Sequence, residues 1–175
     1  AVHVAVVMER EIRLRLEDRV EMPRLYMAWH APAMFTSGDA EMDLISDLLG
    51  NGKTSRLYRT LVYERRLALD VSAYQSSLEL GSLFLLVATA TPGHSLVDIA
   101  AVVDEELQQL FDAGPSEGEM ERAQAQVEAH AHARWEMTAG PGTPHRRRVD
   151  RFKRNKLGLQ GRMHGWEKEF KAEAE

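Results

Sequence analysis

The sequence predicts an α+β fold: an antiparallel sheet with helices packed on one face, in the order β-β-α-α-β-β-α-α. Three features predict it. Side chains alternate in strand fashion at 11–17 and 24–31, apolar stripes at helical spacing follow each pair of strands, and the second pair is joined by only Glu79-Leu80-Gly81.

Residues 11–17, EIRLRLE, set Ile12, Leu14 and Leu16 against Arg13 and Arg15, the pattern of a strand with one wet face. Residues 24–31, RLYMAWHA, alternate Leu25, Met27 and Trp29 with Tyr26, Ala28 and His30 and stop at Pro32. The two are read as neighbouring strands. Ser37 is placed to cap a helix over 39–49, in which Met42, Ile45, Leu48 and Leu49 share a face. A turn at 50–53 leads to a second helix, SRLYRTLVYERRL, with Leu57, Leu61 and Val62 on one side.

LDVSAYQSSL alternates again, and SLFLLVATA is apolar almost throughout, as expected of a central strand covered on both faces. After Pro92-Gly93, the stripe Leu96, Ile99, Val103, Leu107 and Leu110 marks a helix over 95–113, opened by Ser95 and Asp98. Gly114-Pro115 breaks it. Ser116 and Glu119 form a capping box for a last helix carrying Met120, Ala123, Val127 and Ala131.

A chain of 175 residues, 44% hydrophobic and 28% charged, is long enough for one domain with a sizeable core. No window reaches the roughly 18 apolar residues of a membrane span, and the start AVHVAVVMEREIRLRL lacks a basic region before its short apolar run, so neither an anchor nor a leader is predicted. The absence of cysteine excludes disulfides, thiol catalysis and cysteine-ligated zinc. The net charge of -5 is unevenly spread: residues 1–137 hold 12 basic and 22 acidic side chains, residues 138–175 hold 10 and 5.

LLGNGKTSRLY at 48–58 contains Gly-Lys-Thr, the ending of a phosphate-cradling loop. Such a loop needs a glycine five positions before its Gly-Lys, so that the backbone N–H groups between can turn onto the anion. That position is Asp47, and a helix leads into the loop where a strand is required. The tripeptide is therefore read as a helix-helix turn: one helix ends at Gly50 and the next is capped by Thr54 or Ser55.

Residues 24–137 resemble the pitrilysin and insulinase family of zinc metallopeptidases, which includes the mitochondrial processing peptidases, and specifically the non-catalytic, zinc-free domain of its bacterial members. The resemblance is carried by PRLYMAWHAP, LLGNGKTSRLYRTLVYERRLALDVSAYQ, LGSLFLLVATATPG and DEELQQLFDAGPSEGEMERA, in that order and spacing. It implies that residues 1–137 are such a domain, a fragment of a longer chain, inactive alone and without a cofactor. Zinc is expected in a catalytic domain of the same or a partner polypeptide, held by His-x-x-Glu-His and a downstream glutamate.

None of the seven histidines matches that signature. His130 and His132 are two apart on a predicted helix, about 200° around it, and cannot both reach one ion. His30, His94 and His145 have no spaced partner. No catalytic residue and no metal ligand is assigned.

Active members of the family also bring an Arg and a Tyr, seven residues apart, from this second domain to the bound peptide. Those positions fall here on Val62 and Leu69 within LVYERRLAL, both aliphatic, which removes the domain's usual direct contribution. Ser55, Arg56 and Tyr58 are read as residues fixing the second helix, with Arg56 the weaker candidate for a peptide contact.

The resemblance implies one wall of a chamber that holds an unfolded peptide against the zinc-bearing domain, where a sheet with a free edge can accept the peptide as an added strand. The alternative is a catalytically inactive scaffold or assembly subunit of the same fold. Partners expected are the zinc-bearing domain, a peptide substrate and a second subunit in a homo- or heterodimer, with no membrane and no nucleic acid. Bacterial cytoplasm or periplasm is favoured over an organelle. Residues 138–175 read as a basic, partly disordered arm. HRRRVDRFKRNK has seven Lys or Arg, but Phe152 is its only aromatic, too few for base stacking.

Overall fold

The computed structural model describes residues 10–138. Three strands form one antiparallel sheet in the order β1-β3-β2: β1 is Arg24–Ala31, β2 is Ala68–Ser76 and β3 is Ser82–Ala90. Helix α1, Asp39–Gly50, and a π-helix, Tyr58–Glu64, lie between β1 and β2. Helices α2, Leu96–Ala113, and α3, Glu117–Thr138, follow β3.

The first expected strand is not formed. Residues 11–17 lie in no helix or strand, pair with no strand among the described residues, and leave Ile12, Leu14 and Leu16 at 62%, 91% and 91% exposure. Alternation says which face a strand would present, but pairing also needs a neighbour, and the neighbour of β1 is β3. The described order is therefore β-α-π-β-β-α-α.

Helices α1 and α2 and the π-helix pack against the sheet, and α3 packs on α1 through Ala123 and Met120. On the packed face β3 offers Phe84, Leu86, Ala88 and Ala90, which pair across with Trp29, Met27 and Leu25 of β1 and with Ala73, Val71 and Ala68 of β2. Leu49, Leu57, Leu61, Ile99 and Val103 close over them, fully buried. Each such side chain contributes roughly 1.5–3 kcal/mol by leaving water.

The other face of β3 is open, so the expectation that this strand is covered on both faces fails. Leu83 is exposed and Leu85 and Val87 only partly buried. An apolar run reads alike whether the second face is covered by the same chain or presented to another body.

Gly50 and Gly52 explain the turn. Helix α1 ends at Gly50 so close to β2 that a Cβ there would stand 2.2 Å from the Ala73 nitrogen, and Gly52 adopts φ +80, open to glycine at low cost. The expected hydroxyl caps are absent. Gly38, not Ser37, precedes α1, and the Ser55 hydroxyl donates to the Gly52 carbonyl instead of capping the next helix.

That next helix is wound as a π-helix, with the Arg65 N–H bonding back to the Thr60 carbonyl. It buries Leu61 and Thr60, and Leu57 just before it is buried too; the Thr60 hydroxyl donates to the buried Glu106 at 2.6 Å. Helices α2 and α3 begin as expected: Ser95 accepts from Val97 N–H, and Ser116 and Glu119 bond reciprocally. Val127 and Ala131 lie on α3 with side chains outside the described residues, and His145 and the basic arm lie wholly outside them. No helix among the described residues is long and apolar enough to cross a membrane.

Candidate functional site

The open sheet face is the surface with features that the fold itself does not use. Pairing across the three strands sets its side chains in rows: Tyr26, Val87 and Ser72; then Ala28, Leu85 and Tyr74; then His30, Leu83 and Ser76. Tyr26, Tyr74 and Leu83 are exposed around the partly buried Leu85 and Val87. The result is an apolar, aromatic strip with hydroxyls at its margins, the character of a surface made for contact.

A polar row closes one end. Arg24 Nε donates to Thr89 Oγ1 at 3.1 Å, and the Thr89 N–H donates to Asp70 Oδ1 at 3.1 Å. The Tyr26 phenol beside Arg24 holds that guanidinium above its ordinary pKa. The strip therefore has a charged end at Arg24 and Asp70 and a histidine, His30, at the other.

Val62 and Leu69 stand at two backbone irregularities. Val62 is in the π-helix, partly buried against the core, while Leu69 falls where the β2 register shifts between Ala68 and Asp70 and is 51% exposed. Between them Arg66 takes φ 54, a left-handed conformation uncommon outside glycine. π-turns, bulges and such φ values collect at functional sites, and here all three fall between Tyr58 and Asp70.

Arg56 is already committed. Its guanidinium donates to both carboxylate oxygens of Glu119, at 2.8 and 2.9 Å, and to the Gly114 carbonyl at 3.1 Å. It lines an open cleft of about 550 Å³ with Arg59, Glu106, Asp112, Glu119 and Arg122. Each of these charges has a partner inside the protein: Glu64 for Arg59, Thr60 for Glu106, Gln108 for Asp112 and the Gly118 carbonyl for Arg122. The cleft is polar but spoken for.

Among the described residues no three His, Asp or Glu side chains converge as metal ligands. His30 and His94 are exposed, on β1 and before α2, and His130 and His132 both lie on α3, with side chains outside the described residues.

The sequence reading missed Asp39. It is buried at the start of α1 and accepts hydrogen bonds from Phe35 N–H at 2.9 Å, Gln75 Nε2 at 3.0 Å and Ser77 Oγ at 2.7 Å. It ties the helix to the end of β2. Nothing local in the sequence signals it, since two of its partners are 36 and 38 residues away.

Comparison with known proteins agrees with this fold. A protease from Helicobacter pylori is 22% identical with a TM-score of 0.65, over 83% of this chain and 35% of its own. The inactive peptidase domain of a candidate zinc protease from Bordetella parapertussis is 22% identical with a TM-score of 0.60, over 69% and 65%. A peptidase M16 inactive domain from Pseudomonas fluorescens is 16% identical with a TM-score of 0.56, over 62% and 26%. The chain thus spans about a third of the first of these proteins and under two thirds of the second. No match was found among curated proteins. The profile described as the peptidase M16 inactive domain matches residues 2–127, and the chain belongs to that family.

Proposed function

We propose that the chain is the non-catalytic domain of a zinc endopeptidase, and that its open sheet face forms part of a chamber wall holding an extended peptide against a separate zinc-bearing domain. The observation that carries this reading is the strip of Tyr26, Tyr74, Leu83, Leu85 and Val87, left uncovered although the family to which the chain belongs takes its name from a peptidase. An apolar, aromatic surface grips unfolded polypeptide with little regard to sequence, because it recognises side-chain area more than particular groups. The peptide-bond chemistry belongs to zinc on the other domain. This chain contributes contact area and position.

The test mixes the chain with a zinc-bearing domain of the same peptidase and follows cleavage of an unfolded, fluorogenic polypeptide. Neither protein alone is expected to cleave it, the mixture is, and Leu85→Asp raises KM with a smaller change in kcat. Equal activity of the zinc domain with and without this chain overturns the reading.

A second reading, an inactive scaffold subunit, is favoured by Val62 and Leu69. In that case the mixture forms a stable complex without peptidase activity.

A further inference from the structure

β1 is an edge strand whose helix side is incompletely covered. Leu25, Met27 and Trp29 point the same way as their register partners Ala88, Leu86 and Phe84. Those partners are 0–5% exposed, whereas Trp29 is 37% exposed and Leu25 and Met27 only partly buried. The apolar layer beneath the helices runs out past β1 with nothing beyond it among the described residues. Nor does β1 carry the usual protections of an edge: its eight residues contain no proline, lysine or bulge.

The same chain carries a segment of complementary form. Residues 11–17 lie in no helix or strand, alternate the exposed Ile12, Leu14 and Leu16 with Arg13 and Arg15, and as a strand of roughly 3.3 Å per residue would nearly match β1 in length. Laid along the outer edge of β1 with the three aliphatics on the helix side, they would extend the layer over Trp29, Met27 and Leu25, with both arginines in water.

In its own molecule the segment lies elsewhere. It makes no backbone hydrogen bond to β1 among the described residues, and it runs near enough to α2 for the Asp104 carboxylate to add to the stronger pull of Glu11 on Arg13. The Pro23 carbonyl, accepting from Ala90 N–H, anchors the chain at the start of β1. Residues 10–22 beyond that anchor can reach roughly 40 Å when extended.

We infer that residues 11–17 of one copy add as a fourth strand to the β1 edge of a second copy, in a reciprocal two-fold exchange. An edge unpaired among the described residues and an exposed alternating segment of matching length occur in one molecule, and a two-fold pair satisfies both in each copy. The exchange uses the edge and the helix side of β1. It stands independently of peptide binding at the open face.

Sedimentation of the full chain is expected to give a dimer. Leu14→Asp with Leu16→Asp should give a folded monomer whose melting no longer depends on protein concentration, while Leu14→Ile with Leu16→Ile stays dimeric. Because the chain has no cysteine, Leu14→Cys and Met27→Cys can be placed in separate copies, mixed, and joined by a short thiol-bridging reagent. The inference predicts a covalent heterodimer. It is overturned by a monomeric wild type, by a dimer that survives the double aspartate change, or by bridging that occurs only within one chain bearing both cysteines.

Discussion

Arg56 and Glu119 meet through two N–H···O contacts, Nε to Oε1 at 2.8 Å and Nη2 to Oε2 at 2.9 Å, joining the helix after the glycine turn to the first turn of α3. The same carboxylate accepts from the Ser116 N–H and hydroxyl, so one side chain completes both a capping box and a long-range ion pair. Its pKa falls from 4.5 to about 2, chiefly through Arg56, with the Ser116 bonds adding and burial opposing.

The sign of the pH dependence follows from that shift. A carboxyl with a folded pKa below its unfolded one contributes stability fully above the unfolded value of 4.5 and loses it as pH falls toward 2. Melting temperature should drop over that window in the wild type. Glu119→Gln should flatten the drop and cost about 2 kcal/mol at neutral pH by leaving Arg56 without its anion. An unchanged slope in the variant would show that another group controls acid stability.

Asp39 is the next residue to test. Asp39→Ala strips three donors of their acceptor where α1 meets β2, at a cost of about 2–3 kcal/mol in denaturant melts. Ser37→Ala, at an exposed position two residues before it, touches none of those bonds and should change little.

Two glycines should respond in opposite directions to the same added methyl. Gly50→Ala drives a Cβ into the β2 backbone at Ala73 and Ser72, so α1 must move, at about 3 kcal/mol or more. Gly118→Ala meets nothing within 4 Å and sits in the first turn of α3, where alanine should stabilise by about 0.5–1 kcal/mol. Calorimetry on both variants separates a packing glycine from an incidental one.

Val62 and Leu69 occupy the positions that the family resemblance gives to an Arg and a Tyr, yet their surroundings differ. Leu69→Tyr, at an exposed bulge, should stay within about 0.5 kcal/mol of wild type. Val62→Arg replaces a side chain packed on the core and should cost about 1–2 kcal/mol. If peptidase activity in the mixed assay is higher with the Leu69→Tyr variant than with wild type, the bulge still points at the peptide. No rise favours the scaffold reading.

Local chemistry was legible and tertiary context was not. Ser95, Ser116 and Glu119 announce their helices because a cap is written within three residues, and the Gly50 turn is readable because Asp47 rules out a phosphate loop. Residues 11–17 have the alternation of a strand, but alternation is silent about whether a partner lies alongside. The apolar run at 82–90 located the central strand without revealing that one face would remain open. The π-turn over Tyr58–Glu64 keeps Leu61 inward after the buried Leu57 that precedes it, as an α-helix would, so periodicity could not distinguish the two. Asp39 acts wholly through residues distant in sequence.

The central claim is that this chain holds peptide but does not cut it. Its most direct test is the zinc content of the purified protein after dialysis against trace metal, measured by atomic emission beside cleavage of an unfolded polypeptide. The account predicts zinc near zero and no cleavage. Zinc near one per chain, with cleavage that a chelator abolishes, would contradict it and make His130 and His132 the first residues to replace.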